Sequence, residues 1–105
     1  MAVLFILNFS EPTLIESKNS IYDGQRKIAT VTERHYIVVQ LAPGRHVLSC
    51  AGLPLGGTAV VEAVAGETYY FDVGMGPVNK VQACGFIKQA DAEKWLRKME
   101  PEEQD

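Results

Sequence analysis

Two cysteines and two histidines are the residues of this 105-residue chain best suited to nucleophilic or metal chemistry. A thiol hydrolase needs a cysteine with a histidine near enough to accept its proton. Cys50 and His46 are four residues apart on one predicted strand, which separates them by about 13 Å at roughly 3.3 Å per residue. His35 lies on a different segment. We therefore expect no catalytic residue, and a protein that is not an enzyme.

The sequence also lacks the residue patterns of a metal site, a catalytic carboxylate pair or a phosphate-binding loop. A metal site needs three or four converging ligands, and the cysteines and histidines stand on separate segments without a local pair. Two carboxylates, Glu62 and Asp72, occupy outward positions of predicted strands, where nothing is expected to shift their pKa values. The Gly56-Gly57 pair is not followed by a helix that could present its N-terminus to a phosphate. We expect no metal and no cofactor.

The cysteines, Cys50 and Cys84, lie on separate predicted strands, and neither has a CxxC neighbour. We expect two buried thiols that pack as small hydrophobic residues. The alternative is a single disulfide, which would require an oxidising compartment. A small thiol hydrolase that uses Cys50 or Cys84 remains an alternative function.

The charge balance argues against nucleic acid as a partner. The formal net charge is -3, from 10 basic and 13 acidic residues. Four of the acids fall in the last seven residues, so the rest of the chain is close to neutral. Nucleic-acid binding depends on clustered lysine and arginine, and so does a polybasic membrane surface. Neither cluster is present in the sequence.

No stretch approaches the roughly 20 apolar residues of a membrane helix. The apolar start, 2–7, has no basic flank and is shorter than the core of a signal peptide. As written, the chain predicts a small soluble cytoplasmic domain. If a signal peptide was trimmed, the periplasm or the cell envelope is expected instead.

Strand-like segments are separated by turn signals roughly every eight to twelve residues, as in a sandwich or barrel. The predicted strands are 3–9, 20–22, 27–31, 36–41, 46–50, 58–64, 68–73 and 78–87. They alternate apolar and polar residues with the period of half-buried strands. The sequence therefore predicts an all-β, seven- to eight-stranded antiparallel sandwich, in a single domain of residues 1–100.

The end of the chain has helical periodicity. Asp91 is a good N-cap residue, and an apolar stripe follows at helical spacing: Ala92, Trp95, Leu96 and Met99. This predicts an amphipathic helix over about 91–100 that packs on an open face or edge of the sandwich and stops at Pro101. Residues 101–105 are expected to form an acidic, flexible tail.

Three segments form a signature: DGQRKI at 23–28, LAPGRH at 41–46 and AGETYY at 65–70, with Tyr36 between the first two. The signature resembles an uncharacterised bacterial family of small lipoprotein or secreted domains. The resemblance implies a transthyretin- or prealbumin-like β-sandwich and implies no activity. The sequence departs from the family at Ala29, where a glycine is usual, and it lacks the signal and lipidated cysteine.

The signature also has a physical interpretation. Gly24, Gly44 and Gly66 stand where hairpins need positive φ. A tyrosine at the start of a strand, such as Tyr69, can hold a corner by bonding backbone through its hydroxyl. We interpret the signature as a determinant of the fold rather than a functional site.

Binding is the function that remains. Two glycine-rich loops, 52–57 and 74–77, carry apolar residues on a rigid sandwich, a common recognition arrangement. The predicted partner-binding residues are Leu53, Leu55, Gly74 and Met75. The alternative is that the leucines only cover the end of the core.

We expect a binding or protein-interaction module whose partner is an unknown protein. A sheet edge could also pair with another chain or support self-association. The alternative function is a periplasmic lipoprotein-type structural domain of the envelope.

Overall fold

The computed structural model describes residues 1–8, 18–51, 58–74 and 84–102. Nine strands and one helix lie in these ranges: β1 Ala2–Asn8, β2 Lys18–Asp23, β3 Arg26–Thr32, β4 His35–Leu41, β5 Gly44–Ala51, β6 Thr58–Ala63, β7 Thr68–Asp72, β8 Gly85–Phe86, α1 Gln89–Leu96 and β9 Glu100–Pro101. The predicted all-β class is confirmed, and seven of the strands have five residues or more. Within these ranges, no helix is long and apolar enough to cross a membrane.

The strands form two sheets. The five-stranded sheet has the order β8-β7-β1-β4-β9, and the four-stranded sheet has the order β3-β2-β5-β6. Most neighbours are antiparallel, but β1 pairs with β7 and β4 pairs with β9 in parallel. This differs from the purely antiparallel arrangement that we expected. Alternation along a strand fixes which face a side chain occupies, not the direction of the neighbouring strand.

The core lies between the two sheets. Alternate strand residues point inward from both sheets, and the largest fully buried ones are Leu4, Ile6, Ile21, Val31, Leu48, Phe71 and Val73. The predicted alternation of β7 is confirmed at Phe71, whose side chain is in the core, while Tyr70 points to the other face. Of the predicted strand 78–87, residues 84–87 are described, and among these Gly85–Phe86 form β8. Residues 78–83 lie outside the described ranges.

The C-terminal helix covers the outer face of the five-stranded sheet. It packs a second apolar cluster that contains Phe5, Leu7, Tyr36, Tyr70, Ile87, Ala92, Trp95, Leu96 and Met99. The helix begins at Gln89 and ends at Leu96, earlier than predicted at both ends. Lys88 is the N-cap residue, without a side-chain bond, and Asp91 instead lies in the first turn. A negative charge there still interacts favourably with the helix dipole.

Pro101 does not terminate the helix but belongs to β9. The backbone N–H groups of Glu100 and Glu102 donate to the carbonyls of Arg34 and Tyr36. The Glu102 carboxylate accepts hydrogen bonds from the backbone N–H and the hydroxyl of Thr32. Residues 101 and 102 are therefore held against the sandwich, in contrast to the flexible tail that we expected. Residues 103–105 lie outside the described ranges.

The sandwich has two chemically different ends. At the turn end, short connections join β2 to β3, β4 to β5 and β6 to β7. At the loop end, β1, β5 and β7 finish, and the chain continues into segments 9–17, 52–57 and 75–83. Strand register places the ends of β1 and β7 side by side, with Leu7 opposite Asp72.

The three segments of the signature lie at the turn end, whereas Tyr36 pairs with Leu7 towards the loop end. Gly24, Gly44 and Gly66 all have positive φ, as predicted. The Tyr69 hydroxyl accepts from the N–H of Val64 (3.0 Å) and donates to a carbonyl on β6 (3.3 Å), so it holds the turn between β6 and β7. These contacts support the interpretation of the signature as a determinant of the fold.

Candidate functional site at the loop end

The described residues nearest to the two predicted binding loops lie at the loop end. Ala51 and Thr58 flank segment 52–57, and Gly74 and Cys84 flank segment 75–83. Three of the predicted contact residues, Leu53, Leu55 and Met75, lie outside the described ranges. The fourth, Gly74, is buried, and its N–H donates to Oδ1 of Asp72 at 2.9 Å. The fold therefore brings to one end two loops that are about 20 residues apart in sequence.

A disulfide joins Cys50 to Cys84, with their Cα atoms 6.1 Å apart. Cys50 points from β5 into the core, and Cys84 lies just before β8 of the other sheet. Our expectation of two buried thiols was wrong, because sequence spacing does not report which segments face each other across a core. Neither cysteine presents a thiol, so the alternative of a thiol hydrolase loses its nucleophile.

Two buried asparagines connect the sheets at the same end. Asn8 of the five-stranded sheet donates from Nδ2 to the carbonyl of Val31 in the four-stranded sheet (2.9 Å). Asn19 of the four-stranded sheet donates in the opposite sense to the carbonyl of Val73 (3.0 Å). Both side chains are almost fully buried. Together with the disulfide, these bonds hold the loop end as a fixed frame.

Sequence reasoning missed both asparagines. A signal was present for Asn8, because asparagine is depleted in strands and Asn8 lies within the predicted strand 3–9. Asn19 lies outside the predicted strand 20–22, and the structure extends β2 to include it. A buried amide in a strand must find a partner, but the sequence does not identify that partner across the sandwich.

Asp72 is the buried charged group of this end, with 7% of its surface exposed. Burial raises its pKa to about 6, while the hydrogen bond from the N–H of Gly74 acts to lower it. Our expectation of an outward carboxylate without a shift was wrong. Its neighbours on the outer face are covered, since Leu7 is fully buried under the helix and β8 pairs alongside. The carboxyl therefore changes charge near neutral pH.

Metal chemistry finds no support in the described part of the chain, where no three His, Cys, Asp or Glu residues are grouped to hold an ion. At the turn end, His46 contacts the carboxylate of Asp23 through Nδ1 and the carbonyl of Ala42 through Nε2. A general base needs a free nitrogen that faces the substrate. His46 has none, so this pair is structural.

No protein-family model matches the chain, and comparisons with curated proteins and with solved structures find no match. The resemblance to the bacterial lipoprotein family is therefore carried by the signature alone.

Proposed function

We propose that this chain is a non-enzymatic binding module whose partner contacts the loop end. The observation that carries the proposal is the Cys50–Cys84 disulfide, which ties the segment before one predicted binding loop to the segment after the other. The partner is a protein, and its contacts are the loop residues Leu53, Leu55 and Met75.

The described frame suits such a role. Binding costs less conformational entropy when the elements that carry the contact residues are held in place beforehand. The disulfide, Asn8 and Asn19 each link the two sheets at the loop end, and Cys50 and Val73 each lie within two residues of a predicted binding loop. The turn end, in contrast, is built from short turns that leave little chain to form a surface.

The Asp72 carboxyl adds to this argument. A buried carboxyl whose pKa is raised lowers the stability of the folded protein at neutral pH. Groups of this kind are concentrated at functional sites, where an unfavourable environment is retained for a purpose. Asp72 lies next to Gly74, at the start of one of the loops.

A photo-cross-linking amino acid at position 53, 55 or 75 tests the proposal in the native cell. We expect a covalent adduct with one recurring protein from each of these positions. The matched control is the same amino acid at Val64, which is 56% exposed in the turn between β6 and β7. Equal cross-linking from position 64, or none from the three loop positions, would reject the loop end as the binding surface.

The disulfide also favours a second proposal, that the domain serves as a structural component of the bacterial envelope. Disulfides persist in oxidising compartments such as the periplasm. The signature's resemblance to lipoprotein domains points the same way, and we keep the transthyretin-like assignment as part of this proposal. Trapping thiols with an alkylating agent in intact cells tests the location. Alkylation of both cysteines without prior reduction would exclude an oxidising compartment.

An experimental structure tests the assignment to the transthyretin fold. A strand order or direction that differs from that of the transthyretin family would reject this part of the proposal.

A further inference from the structure

One long side of the sandwich carries an incompletely paired edge. Strand β9 pairs with β4 only at His35 and Tyr36. Because the Tyr36 carbonyl accepts from Glu102, the backbone groups of Tyr36 point away from β1. In an antiparallel pair every second residue points the same way, so those of Val38 and Gln40 also face the edge. In the described ranges, no backbone group from the edge side bonds to either residue.

The edge strand of the other sheet, β3, runs beside β4 and closes a groove. This edge groove has a volume of about 370 Å³ and is lined by Arg26, Lys27, Ile28, Val39 and Gln40. A second depression of about 280 Å³ shares Lys27 and continues along β3 to Lys18, Thr32 and Glu102. The groove therefore combines open strand backbone with basic side chains.

The chain itself shows how such an edge binds an acidic segment. Residues Glu100 to Glu102 lie parallel to the start of β4, and the Glu102 carboxylate reaches across to Thr32 of β3. Partial burial acts to raise the Glu102 pKa, but the Thr32 hydrogen bonds and the positive charges of His35 and Lys18 bring it below its ordinary value. The second depression, next to the edge groove, thus stabilises an ionised carboxylate.

The geometry points to the edge groove as a binding site for an extended acidic segment of a partner protein, added to β4 along Ile37–Leu41. Backbone groups of the segment bond to Val38 and Gln40. Its carboxylates, at every second residue, meet Arg26 and Lys27. Strand addition of this kind obtains affinity from main-chain bonds and specificity from alternate side chains. The site lies along a side of the sandwich and does not depend on the loop end.

A labelled seven-residue peptide of alternating valine and glutamate is a direct probe, followed by fluorescence anisotropy with the full chain. We expect saturable binding that is about tenfold tighter than for the valine–glutamine peptide, because the glutamine peptide lacks the exposed charge pairs with Arg26 and Lys27. N-methylation of alternate peptide residues should abolish binding, because it removes the main-chain donors.

Charge reversal in the groove provides the matched test on the protein. Arg26→Glu with Lys27→Glu should weaken binding at least about tenfold. Lys88→Glu with Lys94→Glu makes the same change in net charge at exposed positions on and beside α1, and should have little effect. An equal loss of peptide binding in both variants would show that binding depends only on net charge, and would overturn the proposed site.

Amide chemical shifts of the unmodified chain provide a test that does not depend on whether a variant folds. Peptide binding should move the signals of Val38 and Gln40. Shifts confined to the flanks of the loops would overturn the edge groove while leaving the loop-end proposal standing. A peptide concentration of about 1 mM is well above the dissociation constant of most strand-addition contacts. The absence of binding at that concentration would also overturn the edge-groove proposal.

Discussion

Nδ1 of His46 lies 2.6 Å from Oδ2 of Asp23, and Nε2 of the same ring lies 2.6 Å from the carbonyl oxygen of Ala42. Neither acceptor can donate a proton, so the protonated imidazole is the form in which both ring nitrogens are paired. The hydrogen bond to Ala42 and then that to Asp23 raise the His46 pKa, against the opposing effects of burial and of the Arg26 charge. The pair connects two turns of the signature.

His46→Gln should therefore destabilise the protein in a pH-dependent manner. A raised pKa stabilises the folded state fully below the ordinary histidine value of 6.5, and this stabilisation is lost as the pH rises through the folded-state pKa. We expect the free energy of unfolding to fall by about 1–2 kcal/mol at about pH 5.5 and by less at about pH 9. Urea unfolding at several pH values measures the difference. Asp23→Asn should lower the His46 pKa in an NMR titration, and a difference that is constant with pH would contradict the assignment.

Asp72→Asn should stabilise the protein at alkaline pH. The carboxyl has an ordinary pKa of 3.8 and a folded-state pKa of about 6, so folding favours its protonated form. That contribution is complete below about pH 3.8 and is lost as the pH rises through about 6. A shift of about two units corresponds to about 1–3 kcal/mol in favour of the variant at about pH 8, and little below about pH 4. Thermal unfolding at both pH values measures this difference in stability, and Asp91→Asn, at an exposed position, is the control. If the Asp72→Asn variant were less stable than the unmodified protein at about pH 8, the prediction would be refuted.

Removal of the disulfide should lower stability substantially. Cys50 and Cys84 are 34 residues apart, and a loop of that length constrains the unfolded chain by about 3–4 kcal/mol. Cys50→Ala with Cys84→Ala should reduce the free energy of unfolding by that amount. Dithiothreitol should lower the urea midpoint of the natural chain and leave that of the double variant unchanged. Two reactive thiols in the unfolded, unreduced protein would show that the bond does not form.

Asn19→Ala should lower the free energy of unfolding by more than an ordinary surface substitution does. The change removes a buried hydrogen bond between the sheets, from the Asn19 amide to the Val73 carbonyl, at about 1–3 kcal/mol. Ser20→Ala is the control at the adjacent position, because the Ser20 hydroxyl bonds to the hydroxyl of Thr30 within its own sheet. Comparable losses in the two variants would argue against a special role for the link between the sheets.

Much of the fold follows from local sequence. Turn spacing and alternation predicted the strands, and Phe71 and Leu48 are fully buried residues of two of them. Turn chemistry placed the glycines with positive φ, and the Tyr69 hydroxyl holds a corner as its position suggested. These features depend on residues a few positions apart, so a single sequence contains the necessary information.

Features that depend on distant residues required the tertiary structure. The helix was predicted from its apolar stripe, but its ends were not, since Lys88 caps it without a side-chain bond. Asp72 has the pattern of an exposed position and becomes buried only because the outer face of its sheet is covered. Likewise, the two predicted binding loops are separate in the sequence, and only the fold placed their flanks together.

The cysteines show most clearly which features the local sequence determines and which the tertiary structure decides. Their types and their positions on separate strands determined that they could be buried, and both interpretations, thiol and disulfide, were open. Packing of one sheet on the other placed Cys50 opposite Cys84 and selected the bond. The same packing paired β1 with β7 in parallel across more than 60 residues of chain. Strand periodicity is a local property, whereas the partner of a strand or of a cysteine is decided by how the whole chain buries its apolar faces.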